Sequence, residues 1–176
     1  KAVKYGGLFC FDEMDASDPE AVIAFNDLLS GGKTADFPCG QVEVHPDFRV
    51  IATGNTNGMG PTEQYPTRYK LDESTLDRFY VRKINYDPAI EELCADGDNE
   101  LLEFIRGLRK AAELRGIPMI LSYRTIKHIK IMSEIDTLEE VLESKIKFKL
   151  DADTIGSLKY GIEDLIANGN KYALAW

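Results

Sequence analysis

Leu8-Phe9-Cys10-Phe11-Asp12-Glu13 is the stretch on which the fold turns. With Tyr5, Gly6 and Gly7 ahead of it, it forms a short continuous apolar run that stops abruptly at two acids. That is the pattern of a strand buried on both faces of a parallel sheet. The plain alternative for Asp12 and Glu13 is that they simply begin the loop after a strand. Open α/β sheets, however, bind their ligands in the crevice beyond the carboxyl ends of the strands. Their place makes both acids candidates for chemistry.

The segments that follow extend the same pattern. Asp18-Pro19-Glu20 carries the cap, the N1 proline and the first-turn acid of a helix start, and Val22, Phe25 and Leu29 recur at helical spacing up to Ser30-Gly31-Gly32. Lys33 to Pro46 is polar and glycine-punctuated, with the alternation Gln41-Val42-Glu43-Val44 suggesting a hairpin arm. A second buried-strand pattern, Phe48-Arg49-Val50-Ile51-Ala52-Thr53, runs into Gly54-Asn55-Thr56-Asn57-Gly58-Met59-Gly60-Pro61. Glycines there allow a backbone to approach a ligand closely. Asn55 would lie beside the two acids if the strands are neighbours, where a neutral amide can bond a phosphate oxygen or a water without repelling it; its plain alternative is a turn residue chosen to sit among glycines. Asp72 to Arg78 reads as a short helix, and Phe79-Tyr80-Val81-Arg82-Lys83-Ile84 as a third strand of an α/β sheet. From Asp87-Pro88 onward only helical patterns remain, over 88–94, 98–115, 123–135, 138–148 and 152–168. The expected division is therefore 1–87, α/β, and 88–176, all-helical, with Gly156 and Gly161 weakening the last helix.

Composition narrows the function. The 176 residues are 44% hydrophobic and 29% charged, enough apolar material for a core and unlike a disordered chain. Lys and Arg number 21 against 30 Asp and Glu, a net charge of −9. Nucleic-acid affinity rests on clustered cations, so DNA or RNA is not expected as the principal partner. Cys10, Cys39 and Cys94 are odd in number and far apart, which fits a reducing compartment, and a cytoplasmic location is the expectation. His45 and His128 have no second His or Cys at ligand spacing, so a zinc site is not expected. No apolar run approaches the roughly 20 residues of a spanning helix. The first residue is Lys and no signal segment follows it, so the chain reads as a piece of a longer protein.

Taken together, the segments resemble the C-terminal part of an AAA+ ATPase module, and within that superfamily the MoxR group and the ATPase subunit of aerobic cobaltochelatase. Leu8-Phe9-Cys10-Phe11-Asp12-Glu13 is similar to the family's Walker B and Phe48 to Thr56 to its sensor 1 strand. Leu76-Asp77-Arg78-Phe79 is similar to its arginine-finger segment, and Ser122-Tyr123-Arg124 to sensor 2 at the start of a lid helix. The resemblance implies a P-loop αβα core with a parallel sheet followed by a helical lid, with ATP and Mg²⁺ as ligands. It further implies that Asp12 holds Mg²⁺ through water, that Glu13 activates the lytic water and that Asn55 positions it. Arg78 would reach the neighbouring subunit's nucleotide, which implies self-association into a ring, six subunits being the expected number. Arg124 would contact the γ-phosphate and couple hydrolysis to lid rotation, and a client protein of unknown identity would be remodelled. For either arginine, a surface ion pair is the plain alternative.

The chain departs from the family pattern at several points. Tyr123 stands where the family usually carries proline, and Arg68 competes with Arg78 for the finger role. No Walker A is present: Gly32-Lys33-Thr34 has Asp27 where the first glycine belongs and follows a helix rather than a strand, so it reads as a decoy. The phosphate cradle is expected upstream of Lys1, and this chain alone is expected to be inactive. The rival reading is a catalytically silent scaffold or interaction module derived from the same fold. A DNA-linked motor, the third reading, runs against the charge.

Overall fold

A computed structural model describes residues 1–37 and 40–176, without the side chains of Ala24 and Asp27. Cys39 and the Asp27 side chain, on which two of the sequence expectations fall, lie outside the described residues. The chain is mixed α/β, with a small parallel sheet and many helices, and divides into two units, Lys1–Lys83 and Ile84–Trp176.

In the first unit a short helix α1 (Ala2–Tyr5) leads into β1 (Gly7–Phe11), and a 3₁₀ turn (Met14–Ala16) into α2 (Pro19–Leu29). Asp18 caps α2 by accepting from the Glu20 N–H at 2.8 Å, and Pro19 occupies N1, where a missing donor costs nothing. The strands β2 (Thr34–Phe37) and β3 (Gly40–Glu43) form an antiparallel hairpin before β4 (Phe48–Ala52). β4 pairs in parallel with β1, Leu8 opposite Arg49 and Cys10 opposite Ile51, which completes a strand–helix–strand crossover. A last short helix, α3, covers Glu73–Leu76.

Side-chain alternation decides how this sheet is covered. Phe9 and Phe11 point toward α2, their rings 5.3 and 5.2 Å from that of Phe25. Leu28, Ala35 and Phe48 complete a small core there, and Met14, Val22 and Leu71 form a second beside it. On the opposite face Leu8 is 61% and Ile51 47% exposed. The apolar runs read as strands covered on both faces, but α2 covers one, and period alone cannot say whether a second layer is present. The third expected strand is also corrected. Phe79 packs beside Leu71 in the small core, but residues 80–84 are irregular, with Tyr80 85% and Ile84 91% exposed. Strand propensity is realised only against a hydrogen-bonding neighbour, and among the described residues no strand pairs with this segment.

The second unit is helical: α4 (Pro88–Ala95), α5 (Asn99–Leu114), α6 (Tyr123–Met132), α7 (Leu138–Lys145), α8 (Ala152–Tyr160), α9 (Glu163–Ala167) and α10 (Lys171–Leu174). Asp98 caps α5, and capping boxes open α6 and α7 through Ser122/Thr125 and Thr137/Glu140. Leu101, Phe104, Ile105, Leu108, Ile126 and Ile129 are wholly buried. Three of the expected helices differ in extent, α6 stopping at Met132 rather than 135. α7 stops at Lys145, followed by a 3₁₀ turn over Lys147–Lys149, and the single helix read over 152–168 breaks at Gly161-Ile162 so that Ile162 can turn inward. α10 was not anticipated. Asn170 caps it while its amide donates to the Glu100 carbonyl at 2.8 Å, and Trp176 packs 5.8 Å from Phe104.

Glu91 ties α4 to α5. It is 3% exposed and accepts from Arg106 Nε at 2.7 Å and from Arg109, whose guanidinium also lies 3.8 Å from the Tyr86 ring centre and donates to the Leu121 carbonyl. Burial alone would push the Glu91 carboxyl up, but hydrogen bonds from Arg109 and Arg106, together with their charges, hold it below its ordinary 4.5. A carboxyl lowered in the folded state contributes stability above its unfolded pKa, and that contribution is lost as pH falls through the lower, folded value. Acid titration followed by Trp176 fluorescence should therefore show the second unit losing stability as pH drops below 4.5. Glu91→Gln should be flatter over that range and about 2 to 4 kcal/mol less stable at neutral pH, because it leaves two arginines facing a neutral amide. Gly161 gives a second prediction. A Cβ there would lie 2.5 Å from the Ala111 Cβ and 2.8 Å from Arg115 Nη1. Gly161→Ala should lower the urea midpoint reported by Trp176 by the equivalent of about 1 to 3 kcal/mol, despite alanine's better helix propensity.

Candidate functional site

The two parallel strands end side by side, and one hydroxyl joins their ends. The Thr53 N–H donates to the Phe11 carbonyl at 3.0 Å and its carbonyl accepts from the Met14 N–H at 2.8 Å. Thr53 Oγ1 accepts from the Glu13 N–H at 2.8 Å and donates to Asp12 Oδ1 at 2.6 Å. The chain needs this fastening because Glu13 is left-handed, with φ 51° and ψ 47°. A non-glycine residue held there costs on the order of 1 kcal/mol and persists only where its surroundings fix it. The turn leaves the Asp12 and Glu13 side chains exposed at the carboxyl end of β1.

Behind them lies Asp15, 1% exposed. Its Oδ2 accepts from the Asn55 N–H, the Thr56 N–H and Thr56 Oγ1, each at 2.8 Å. Its Oδ1 faces Arg68 Nε at 3.4 Å, and the same guanidinium reaches Glu13 Oε2 through Nη2 at 3.1 Å. Burial alone would raise the Asp15 carboxyl, but the bonds from Thr56 and Asn55 and the charge of Arg68 hold it below its ordinary value. The Tyr69 N–H adds a 2.8 Å bond to the Asp15 carbonyl, so the segment carrying Arg68 is fastened to the 3₁₀ turn by backbone as well.

The glycines after β4 serve this packing. A Cβ on Gly54 would come within 3.2 Å of the Asp15 carboxyl carbon. Gly58, at φ +73°, would bring one to 2.8 Å from Leu76 Cδ2. The close approach that reads from sequence as room for a ligand is, at these two positions, an approach to the chain's own side chains.

Three of the sequence-predicted residues are thus brought together: Asp12 and Glu13 through Thr53, and Asn55 through its backbone bond to Asp15, which leaves its side chain exposed. Arg78 belongs to a different set of contacts. It is exposed, its Nε donates to Ser30 Oγ at 3.2 Å, and its Nη1 donates to the Ser74 carbonyl. Arg68, the competing arginine, is 11% exposed and turned inward to Glu13 and Asp15. Arg124 is an exposed residue in the first turn of α6, in the second unit. Tyr123 beside it accepts from the Asp87 N–H, and its ring meets Tyr86 edge-on at 5.3 Å. Tyr123 therefore fastens the start of α4 to the start of α6.

Asp15 and Thr53 were not foreseen. The signal for Asp15 was a third acid two residues past Glu13, which loop composition explains equally well. That for Thr53 was a hydroxyl closing a strand opposite two acids. Among the described residues no group of three or more His, Cys, Asp or Glu side chains is placed to hold a metal ion. No helix among them is long and apolar enough to cross a membrane. Gly32-Lys33-Thr34 leads directly into β2, so no helix N-terminus stands behind it.

No family model matches the chain. It is similar to the aerobic cobaltochelatase subunit CobS of Sinorhizobium sp., 31% identical over 96 residues that cover 52% of this chain and 29% of that protein. The chain thus spans less than a third of that relative's length, and the similarity falls within the group whose motif order it resembles.

Proposed function

We propose that this chain supplies the strand-end half of an AAA+ ATPase site, in which Mg-ATP is hydrolysed to drive remodelling of a protein partner. The observation that carries the reading is the fastening of Asp12, Glu13 and Asn55 at the carboxyl ends of two adjacent parallel strands. The similarity to a cobaltochelatase subunit supports it independently.

The donor set fits magnesium bound with a nucleotide. Mg²⁺ on phosphates keeps several waters and takes one or two carboxylates, so a cage of protein ligands is not required. Asp12 offers an exposed carboxylate oriented by the Thr53 hydroxyl. Mg-ATP, when bound, supplies the phosphoanhydride and a cation that spreads its charge. The chain's own residues do the rest in this reading. Glu13 takes the proton of the attacking water, Asn55 bonds that water or a phosphate oxygen, and Arg78 offers an exposed cation to a neighbouring subunit of a ring. Arg124 is proposed as a phosphate-sensing arginine of the helical unit, taken as the lid.

One observation favours the silent-scaffold alternative. The chain's Gly-Lys-Thr opens a hairpin strand, so the phosphate cradle must come from residues outside this chain for the ATPase reading to hold. An upstream G-x-x-x-x-G-K-[ST] in the full-length protein separates the two.

In the full-length protein, Glu13→Gln should retain ATP binding and lose about 10² to 10⁴ in steady-state turnover, the usual cost of a missing general base. Undiminished turnover would remove that role. Arg78→Ala should also lose turnover, by up to about 10³ to 10⁵ on the scale of arginine fingers. Mixed with an Asp12→Ala protein it should regain part of it, because each species then carries what the other lacks; no recovery at any ratio would argue against action across subunits.

A further inference from the structure

The contact that the ATPase reading leaves unused is the arginine between the two acids. Arg68 is largely buried, and its guanidinium spans from Asp15 Oδ1 at 3.4 Å to Glu13 Oε2 at 3.1 Å. The two ends of that span differ. Asp15 is 1% exposed and held by three hydrogen bonds, whereas the Glu13 side chain is 57% exposed. Arg68 therefore faces a fixed, buried charge at one end and a carboxylate open to solvent at the other, and the exposed carboxylate is the group with freedom to be held. Its own segment is fixed as well, by the Tyr69 N–H on the Asp15 carbonyl and the Leu71 N–H on the Gly58 carbonyl at 2.9 Å. A glutamate on a left-handed turn has several side-chain rotamers open to solvent. A fixed guanidinium selects among them, and an ion pair through one oxygen leaves the other for a second partner.

We propose that Arg68 is a positioning residue for Glu13: it fixes the carboxylate in one orientation and makes that orientation depend on the docking of residues 57–70 onto the 3₁₀ turn. This rests on the ATPase reading for its consequence but not for the contact itself. A displacement of the segment, by a partner or a neighbouring subunit, would then be felt at Glu13 without touching Asp12. Positioning errors of about 1 Å are worth up to about 10² in rate, so the effect belongs in kcat and not in nucleotide binding.

Two measurements test this. The first is independent of turnover: hydrogen exchange at the Tyr69 and Leu71 amides in this chain. Glu13→Ala should speed exchange there by about two- to fivefold, the scale of a half-exposed ion pair, and Arg68→Ala should speed it more. No change on removing Glu13 would show that the pair does not form and would overturn the proposal. The second is a kinetic cycle in the full-length protein with Mg-ATP. Arg68→Ala should lower kcat by about 10- to 100-fold with KM within about twofold, Arg68→Lys should restore part of it, and Arg68→Ala should cost nothing further in a Glu13→Gln background. An undiminished loss in that background would mean that Arg68 only holds the fold, and the positioning role would fall. Turnover that Glu13→Gln does not reduce would instead overturn the ATPase reading, while the exchange result still reports on the contact.

Discussion

A carboxylate taken out of water has to be given back what water supplied, and Asp15 is the place where the first unit meets that demand. Two backbone N–H groups and a hydroxyl from Asn55 and Thr56 converge on one oxygen, and a guanidinium faces the other. Each partner comes from a segment that no strand or helix holds in place. The loop after β4, the 3₁₀ turn after β1 and the segment before α3 are gathered by one buried charge. The apolar clusters around it are small, three buried residues in each among the described residues, so directional bonds carry a large share of the loop order here.

That arrangement explains why the exposed polar groups sit where they do. Thr53 fixes the two acids from the β4 side, while Asp15 fixes Asn55 from the β1 side. The two strand ends are thus laced in both directions, and the side chains of Asp12, Glu13 and Asn55 stay exposed there, Asp12 held through one oxygen by Thr53 and Glu13 through one oxygen by Arg68. A buried anion beside an arginine also keeps the guanidinium from wandering. Arg68 is consequently an interior fastening, whereas Arg78, held by Ser30 and the Ser74 carbonyl, remains exposed.

Much of this was legible in the sequence where the signal is local. The apolar run broken by Asp12-Glu13, the Asp18-Pro19 helix start and the helical spacing of Ile126 and Ile129 each correspond to the element they announce. What was not legible depends on neighbours. Residues 79–84 carry strand composition, yet a strand is a relation between two segments and this one has no partner among the described residues. Leu8 and Ile51 have the hydrophobicity of a twice-covered strand but lie on the bare face. Gly161 read as a weakness of a helix, and only its approach to Ala111 shows why no larger residue stands there. Asp15 was invisible because a third acid in a loop looks like solvation until the hydrogen bonds are seen. The order of Walker B-like, sensor-like and arginine-bearing segments was readable, but no pattern in a single chain says whether the exposed acids meet a nucleotide.

A crystal structure of the full-length protein with Mg²⁺ and a non-hydrolysable ATP analogue would show whether the exposed acids meet a nucleotide. The γ-phosphate should lie within hydrogen-bond reach of the Asn55 side chain, with the cation on the Asp12 side of the strand ends and Glu13 facing the position of an attacking water. A nucleotide bound away from the ends of β1 and β4, with Asp12, Glu13 and Asn55 left in solvent, would contradict the ATPase reading.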